Sequence, residues 1–295
     1  MYGPVRTVVW EGRGREASPY PDFDGTEFAG PARERVTSAE AAFMFIGAEG
    51  PGGSRGIGEM IAEGYVRAGA KVYISARKAS ACEETAERLS AIGECIAMPA
   101  DASGASGARA LAGLYLAKES KLDILVNNAG AAWGAEIESF PESGWDKVMD
   151  INVKAPFFLI QSLLGALRAS ARPERPAKVI NIASIDGLSV NMQDTYSYAA
   201  SKAGLIHLTR RLALELAPEN IVVSAIAPGA FASNMNKLAR DEGEALGKEI
   251  PARRIGTPED MAGAAIFLAS RAGDYVVGDT LVVDGGFAWT RRGGA

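Results

Sequence analysis

Tyr198 and Lys202 stand four residues apart in Tyr196-Ser-Tyr-Ala-Ala-Ser-Lys202, and the apolar run Val179-Ile-Asn-Ile-Ala-Ser184 ends in a serine a loop's length upstream. A phenol is a weak acid, with an ordinary pKa of about 10. A lysine one helical turn on shares the tyrosine's face, roughly 5–6 Å away at Cβ. Its positive charge favours the phenolate and is expected to lower the tyrosine pKa. A serine hydroxyl nearby can hold a carbonyl oxygen while the tyrosine hands it a proton. These residue types at this spacing are equipment for reducing a ketone or oxidising an alcohol, given a hydride carrier. Tyr196 is a rival to Tyr198, but it lies six residues from Lys202, on the wrong helical face.

The carrier's site is expected at Gly52-Gly-Ser-Arg-Gly-Ile-Gly58. A helical pattern follows it, with apolar Ile61, Tyr65 and Val66, and then the strand Ala70-Lys-Val-Tyr-Ile-Ser75. Glycines let the backbone approach a pyrophosphate, and the helix N-terminus supplies amide donors and a positive dipole end. An acidic residue about twenty positions past the loop would bond the ribose 2′-hydroxyl of NAD. The corresponding stretch reads Ser75-Ala76-Arg77-Lys78 and holds no acid. Arg77 and Lys78, with Arg55 in the loop, suit a 2′-phosphate, so the expected cofactor is NADP(H).

With these pieces in hand, residues from about Gly52 to Phe287 resemble the short-chain dehydrogenase/reductase family, and the subgroup of NADPH-dependent 3-ketoacyl reductases of the rhamnolipid type in particular. The likeness rests on several separated motifs in family order. Leu122-Asp-Ile-Leu-Val-Asn127-Asn128-Ala129-Gly130 resembles the strand-four signature beneath the cofactor. Asp101 resembles the residue that contacts adenine. Asp150-Ile-Asn152-Val resembles the helix carrying the tetrad asparagine, Pro228-Gly229 the loop beside nicotinamide, and Val282-Val-Asp284-Gly285-Gly286 the last strand. The resemblance implies a tetrad of Asn152, Ser184, Tyr198 and Lys202. Tyr198 would donate the proton, Lys202 would lower its pKa and bond the nicotinamide ribose, Ser184 would orient the carbonyl, and Asn152 would hold a relay water. It implies cofactor contacts from Gly52, Ser54, Arg55, Gly56, Ile57, Gly58, Arg77, Lys78, Asp101, Asn128, Ala129, Gly130, Tyr198, Lys202, Pro228 and Gly229. It also implies a homodimer or homotetramer through the helices near 142–170 and 196–217, and a lid over 231–250 with Leu238 and Leu246 on its inner face.

The pattern breaks before the glycine loop. The family runs an apolar strand into Thr-Gly-x-x-x-Gly-x-Gly, whereas here Pro51 holds the threonine position behind Gly47-Ala-Glu-Gly50. Pro51 cannot donate to a sheet ladder, and a buried Glu49 would be costly without a partner. Two solutions exist. Either the strand is Phe43 to Ile46 with a longer loop, or a strand in the usual register is poorly formed. Either weakens dinucleotide binding, and an altered reading frame or exon boundary would produce such a junction. Residues 1–42 carry no lysine and show no clear periodicity, and are expected to be a disordered extension. They lack the apolar core of a secretory signal, and Glu11, Glu16, Asp22 and Asp24 disfavour a transit peptide.

The rest of the chain alternates strands near 43–46, 71–75, 94–98, 123–127, 178–183, 221–226 and 279–283 with helices near 57–68, 80–91, 105–118, 142–170, 196–217 and 258–270. The alternation implies an α/β fold, one Rossmann-like doubly wound parallel sheet over 43–288 with a short tail at 289–295. Its ligand would sit at the carboxyl ends of the strands. A net charge of −5 disfavours nucleic acid as a partner, and no run of about 18 apolar residues suggests a membrane span. Cys82 and Cys95 are the two cysteines, and no Cys/His set points to a metal. Reduced thiols fit a cytoplasmic setting, and the single histidine, His207, is read as structural. The partner expected is a small-molecule or acyl-thioester substrate, with Lys237, Lys248, Arg253 and Arg254 disposed to meet an acidic carrier. The function expected is NADPH-dependent reduction of a 3-ketoacyl thioester. One alternative is a polyol or sugar-acid dehydrogenase of the gluconate 5-dehydrogenase kind, for which Asp186, Asn191 and Gln193 would suit hydroxyls. Another is a non-catalytic dinucleotide-binding regulatory protein.

Overall fold

A computed structural model of the chain describes residues 42–46, 56–233 and 236–289. Seven strands form one wholly parallel sheet in the order β3-β2-β1-β4-β5-β6-β7. They are β1 (Ala42–Ile46), β2 (Lys71–Ser75), β3 (Cys95–Ala97), β4 (Ile124–Asn127), β5 (Ala177–Ile182), β6 (Ile221–Pro228) and β7 (Thr280–Val283). The helices are α1 (Ile57–Arg67), α2 (Ala79–Ser90), α3 (Gly104–Leu116), α4 (Glu142–Met149), α5 (Ala155–Ser170), α6 (Tyr196–Leu216), α7 (Lys237–Asp241), α8 (Gly243–Glu249) and α9 (Pro258–Ala269). Strand order reverses between β1 and β4, so the connections diverge there and open a crevice at the carboxyl ends.

Both faces of the sheet are covered, and the two-residue repeat of the strands sorts the core. Val72 and Ile74 of β2, Val126 of β4 and Ile180 of β5 pack with Met60, Ile61 and Tyr65 of α1 and Met261 and Leu268 of α9. Tyr73, Leu125 and Val179, one residue out of phase, pack on the other face with Leu111 and Tyr115 of α3 and Leu159 and Leu163 of α5. Helix α1 is held close to α9 because Gly64 has no side chain. A Cβ there would stand 2.6 Å from that of Ala262, and the Tyr65 hydroxyl donates to the Ala265 carbonyl at 3.1 Å. That contact sets where α1 begins, at the crevice.

Of the two positions for the first strand, the earlier one is found, Ala42–Ile46. Strand β1 pairs Ile46 with Ser75 of β2 and with Asn127 of β4, so its end is level with theirs. Pro51 and Glu49 lie in residues 47–55, outside the described residues, as do residues 1–41. The expected helix 142–170 is present but changes pitch. Asp150–Lys154 form a π turn between α4 and α5. Pro156, in the first turn of α5, has no N–H to give the carbonyl four residues back, that of Asn152. The wider turn accommodates this loss, with the Ala155 N–H donating to the Asp150 carbonyl instead.

Candidate active site

The four tetrad candidates converge where β4, β5, α6 and the π turn meet. Lys202, 3 % exposed, sends its Nζ down from α6 to donate to the Ile182 carbonyl, the last residue of β5, at 2.7 Å. Its ammonium lies 5.6 Å from the centre of the Tyr198 ring. Ser184 follows two residues after Ile182 in extended conformation, and its hydroxyl accepts the Asp186 N–H at 3.1 Å. The same hydroxyl favours the ionised form of the Tyr198 phenol. Asn152, fully buried, is clamped on three bonds. Its Oδ1 accepts the Ala131 N–H at 2.8 Å, and its Nδ2 donates to the Ala131 carbonyl and to Ser201 Oγ, each at 2.9 Å. Ser201 in turn donates to the Tyr198 carbonyl at 2.7 Å.

Tyr196 points elsewhere. Its hydroxyl donates to Asp194, and its ring meets Phe140 edge-on at 5.8 Å. His207 is exposed on α6 rather than part of the core. Two groups the spacing argument did not single out complete the cluster, Ser201 and the Ile182 carbonyl. Ser201 had a signal, because it stands three residues after Tyr198 on the same face. The main-chain carbonyl had none. Below the site, Asn127 Nδ2 donates to Asn181 Oδ1 at 2.8 Å, and Asn181 Nδ2 to Thr209 Oγ1 at 2.9 Å. This buried chain ties the ends of β4 and β5 to α6.

The expected lowering of the tyrosine pKa is not what the site shows. Burial pushes the half-buried Tyr198 up to about 12; the Ser184 hydroxyl opposes this and the Asp186 charge adds to it. Burial brings Lys202 down to about 8, against a raising effect from Asp186. An ammonium that titrates first is already neutral at the pH where the free phenol ionises, so it does not lower that pKa. Neighbouring charge was the sequence argument; desolvation is the larger effect here.

Beyond the strand ends, Gly56 caps α1 without a side-chain hydrogen bond, and no atom of the described residues lies within 4 Å of where its Cβ would be. That leaves the first amides of α1 approachable by an anion. Arg77 and Lys78 stand exposed after β2. Asp101, after β3, accepts the Ser103 N–H at 3.0 Å, and its pKa is lowered by that residue and by the charge of Arg77. Gly130 lies beside the tetrad, and a Cβ on it would come 3.3 Å from Asn152 Oδ1 and 3.6 Å from Lys202 Nζ. Asn128 and Ala129 lead into it from β4. Pro228 ends β6, and the Gly229 N–H donates to Val283 of β7 at 2.9 Å. Gly56, Ile57 and Gly58 thus open α1, while Arg77 and Lys78, Asp101, Asn128, Ala129 and Gly130, and Pro228 and Gly229 stand at or just past the carboxyl ends of β2, β3, β4 and β6. Gly52, Ser54 and Arg55 lie outside the described residues.

Comparison with known proteins gives the same picture. The family described as Enoyl-(Acyl carrier protein) reductase matches residues 50–288. The rhamnolipids biosynthesis 3-oxoacyl-[acyl-carrier-protein] reductase of Pseudomonas aeruginosa is 52% identical over 239 residues, 80% of this chain and 93% of that protein. A 2-dehydro-3-deoxy-D-gluconate 5-dehydrogenase of Dickeya dadantii is 39% identical over 241 residues, 80% of this chain and 92% of that protein. Among solved structures, the Pseudomonas aeruginosa RhlG/NADP active-site complex superposes with a TM-score of 0.80 at 50% identity, covering 86% of this chain and 98% of that one. A gluconate 5-dehydrogenase from Burkholderia cenocepacia in complex with NADP and tartrate does so with a TM-score of 0.77 at 30% identity, covering 88% and 99%.

Proposed function

The chain belongs to the short-chain dehydrogenase/reductase family, and from that footing we propose that it is an NADPH-dependent carbonyl reductase acting on a 3-ketoacyl thioester. The observation that carries the reading is the buried Lys202 ammonium, 5.6 Å from the Tyr198 ring and bonded to the Ile182 carbonyl two residues before Ser184. A phenol and a serine hydroxyl supply two donors for one oxygen, which a carbonyl can accept and a carbon–carbon double bond cannot. The 52% identity to a 3-oxoacyl reductase supports the substrate class, and NADP in the similar structures supports the cofactor.

NADPH supplies the hydride when bound. Arg77 and Lys78 would hold its 2′-phosphate, the N-terminus of α1 at Gly56–Gly58 would meet its pyrophosphate, and Asp101 its adenine. Asn128, Ala129, Gly130, Pro228 and Gly229 would hold the nicotinamide end. The chain's own groups then handle the oxygen. Ser184 donates to the carbonyl oxygen while its own oxygen accepts the Asp186 N–H. Tyr198 gives the same oxygen its proton. A phenol kept un-ionised by burial is suited to act as the acid in reduction. Lys202 restores charge balance, and Asn152 fixes the distance between the cofactor floor at Ala131 and the helix of Tyr198.

The segment after Pro228 supports a lid. Phe231 is buried against Gly256, where a Cβ would meet its ring at 2.3 Å. The Ala252 N–H donates to the Gly285 carbonyl at 3.0 Å, so α7 and α8 are tied down behind them. Leu238 is exposed and Leu246 half-buried. The reading includes a cytoplasmic enzyme, supported by two free buried thiols and by the lack of any membrane-length apolar helix among the described residues. It also includes a homodimer or homotetramer. An open apolar groove of about 430 Å³ beside α4 and α6, lined by Ile137, Phe140, Pro141, Trp145 and Tyr196, supports self-association.

A sugar-acid substrate is the second reading, favoured by the 39% identical gluconate dehydrogenase and by Asp186, Asn191 and Gln193 on the loop between Ser184 and Tyr198. On the same loop Val190 and Met192 are 89 % and 98 % exposed, which suits an acyl chain better. Oxidation of NADPH followed with both substrate classes decides. A 3-ketoacyl thioester should have the higher kcat/KM by roughly tenfold or more; the reverse order installs the sugar-acid reading, and no turnover of either installs a binding role.

A further inference from the structure

Residues 131–135 run as a strap from the loop after β4 to the segment that enters α6, and every second residue of it is fastened. Ala131 donates its N–H to Asn152 Oδ1, and its carbonyl accepts from Asn152 Nδ2. Ala135 donates its N–H to the Asp194 carbonyl at 3.1 Å. Between them the Trp133 indole lies on Gly144 of α4, where a Cβ would stand 2.7 Å from its Cγ and Cδ2 and 2.8 Å from its Cδ1. The Lys147 ammonium, one turn along α4, is 5.6 Å from the Trp133 ring centre. The intervening Ala132 and Gly134 are exposed.

Both ends of the strap lead to Tyr198. From Ala131 the path is Asn152, then Ser201 Oγ, then the Tyr198 carbonyl, in bonds of 2.8, 2.9 and 2.7 Å. From Ala135 it is the Asp194 carbonyl, four residues before Tyr198. Trp133 is the one large side chain in Ala131-Ala-Trp-Gly-Ala135. Alanine and glycine have little with which to anchor a backbone, and a stretch of them left unanchored keeps its conformational freedom. An aromatic plate supplies broad contact with only two torsions to fix. Gly144 is the matching feature on the other side. It is buried inside α4, where glycine is a poorer helix former than alanine, and the indole fills the space that a methyl group would take.

We propose that Trp133 is a positioning residue for carbonyl reduction: seated on Gly144, it holds the 131–135 strap so that Asn152 and the entry to α6 keep Tyr198 in one place. The proposal deepens the reductase reading and rests on it. Its action on Tyr198 runs through main chain and Asn152, so it is felt in kcat rather than in KM.

The experiment is a double-mutant cycle on ketone reduction with NADPH, using Trp133→Ala, Gly144→Ala and the double variant, with Trp133→Phe alongside. Trp133→Ala should lower kcat roughly ten- to a hundredfold with KM near wild type, and Trp133→Phe should recover most of the loss. Gly144→Ala should lower kcat by roughly the same factor although alanine is the better helix former, because its methyl unseats the ring. The double variant should be no worse than Trp133→Ala alone, since both substitutions remove one contact. Wild-type kcat in either single variant, losses that multiply in the double variant, or a raised KM with kcat intact would each overturn the proposal. Hydrogen exchange reads the strap without turnover. The Ala131 and Ala135 amides should lose protection in Trp133→Ala and in Gly144→Ala, and unchanged protection overturns the proposal. If wild type reduces no ketone, the reductase reading fails on its own, and hydrogen exchange still decides whether Trp133 anchors the strap.

Discussion

At the carboxyl ends of β4 and β5 the tetrad candidates Asn152 and Lys202 are buried and fastened to main chain, whereas the cofactor candidates after β2 and β3 stand in solvent. Asn152 and Lys202 are 0% and 3 % exposed, and each bonds a backbone carbonyl. Arg77, Lys78 and Asp101 are exposed. In the first region protonation is governed by how dry the site is, and each group depends on the others. In the second, charges act nearly independently through water and are screened by salt. Substitutions in the first should therefore be severe and pH-dependent; those in the second should be graded and retune selectivity without stopping the chemistry.

The largest effect is expected at the phenol. Tyr198→Phe should lower kcat on the order of 10²–10⁴-fold while NADPH affinity, read by fluorescence titration, stays close to wild type. A variant that keeps most of its turnover removes Tyr198 from the mechanism and breaks the contrast at its root.

Burial of Lys202 also has a stability consequence. Its pKa falls from 10.5 to about 8 on folding, so between those values the unfolded chain binds more protons and stability rises with pH. Tyr198, raised from 10.0 to about 12, works the other way above pH 10. From about pH 8 to 10, denaturant unfolding should therefore show a gain that Lys202→Met removes, about 2–3 kcal/mol in size. Equal slopes for the two proteins would mean that Lys202 is better solvated than its surroundings imply.

The exposed end should respond more gently. Arg77→Asp should move the ratio of kcat/KM values for NADPH and NADH towards NADH by roughly ten- to a hundredfold, the range of one charged hydrogen bond, with kcat little changed. An unaltered ratio would reject the phosphate clamp. Smallest of all is an outlying pair behind the lid. Arg254 bonds the Asp260 carboxylate, which also accepts the Thr257 N–H at 2.8 Å in the capping box of α9 and is held at about 2. Asp260→Asn should cost about 1 kcal/mol. Because the folded pKa is depressed, that contribution is present above about pH 4 and fades as pH falls through 2. The pairing also leaves Arg254 a poor candidate for meeting an acidic carrier.

Much of this architecture was legible before any coordinates. The strands of a sheet covered on both faces read as short apolar runs, and all seven were placed within a residue or two. The first strand was legible as a choice between two registers, and Phe43 to Ile46 offered the stronger apolar run. The π turn was not legible, because the effect of Pro156 depends on the helix continuing through it. Nor was the clamp on Asn152, since Ala131 and Ser201 are distant in the chain and meet only when β4 and α6 pack.

The residue types and their spacing decided by themselves which groups are present: a phenol, an amine and a hydroxyl that fall at one strand end and one helical turn, with two cations after β2. Those follow from the periods of helix and strand, which are local. Tertiary structure alone decided how far water is kept from them. That set the order in which Lys202 and Tyr198 give up their protons, because desolvation is a property of the packed fold.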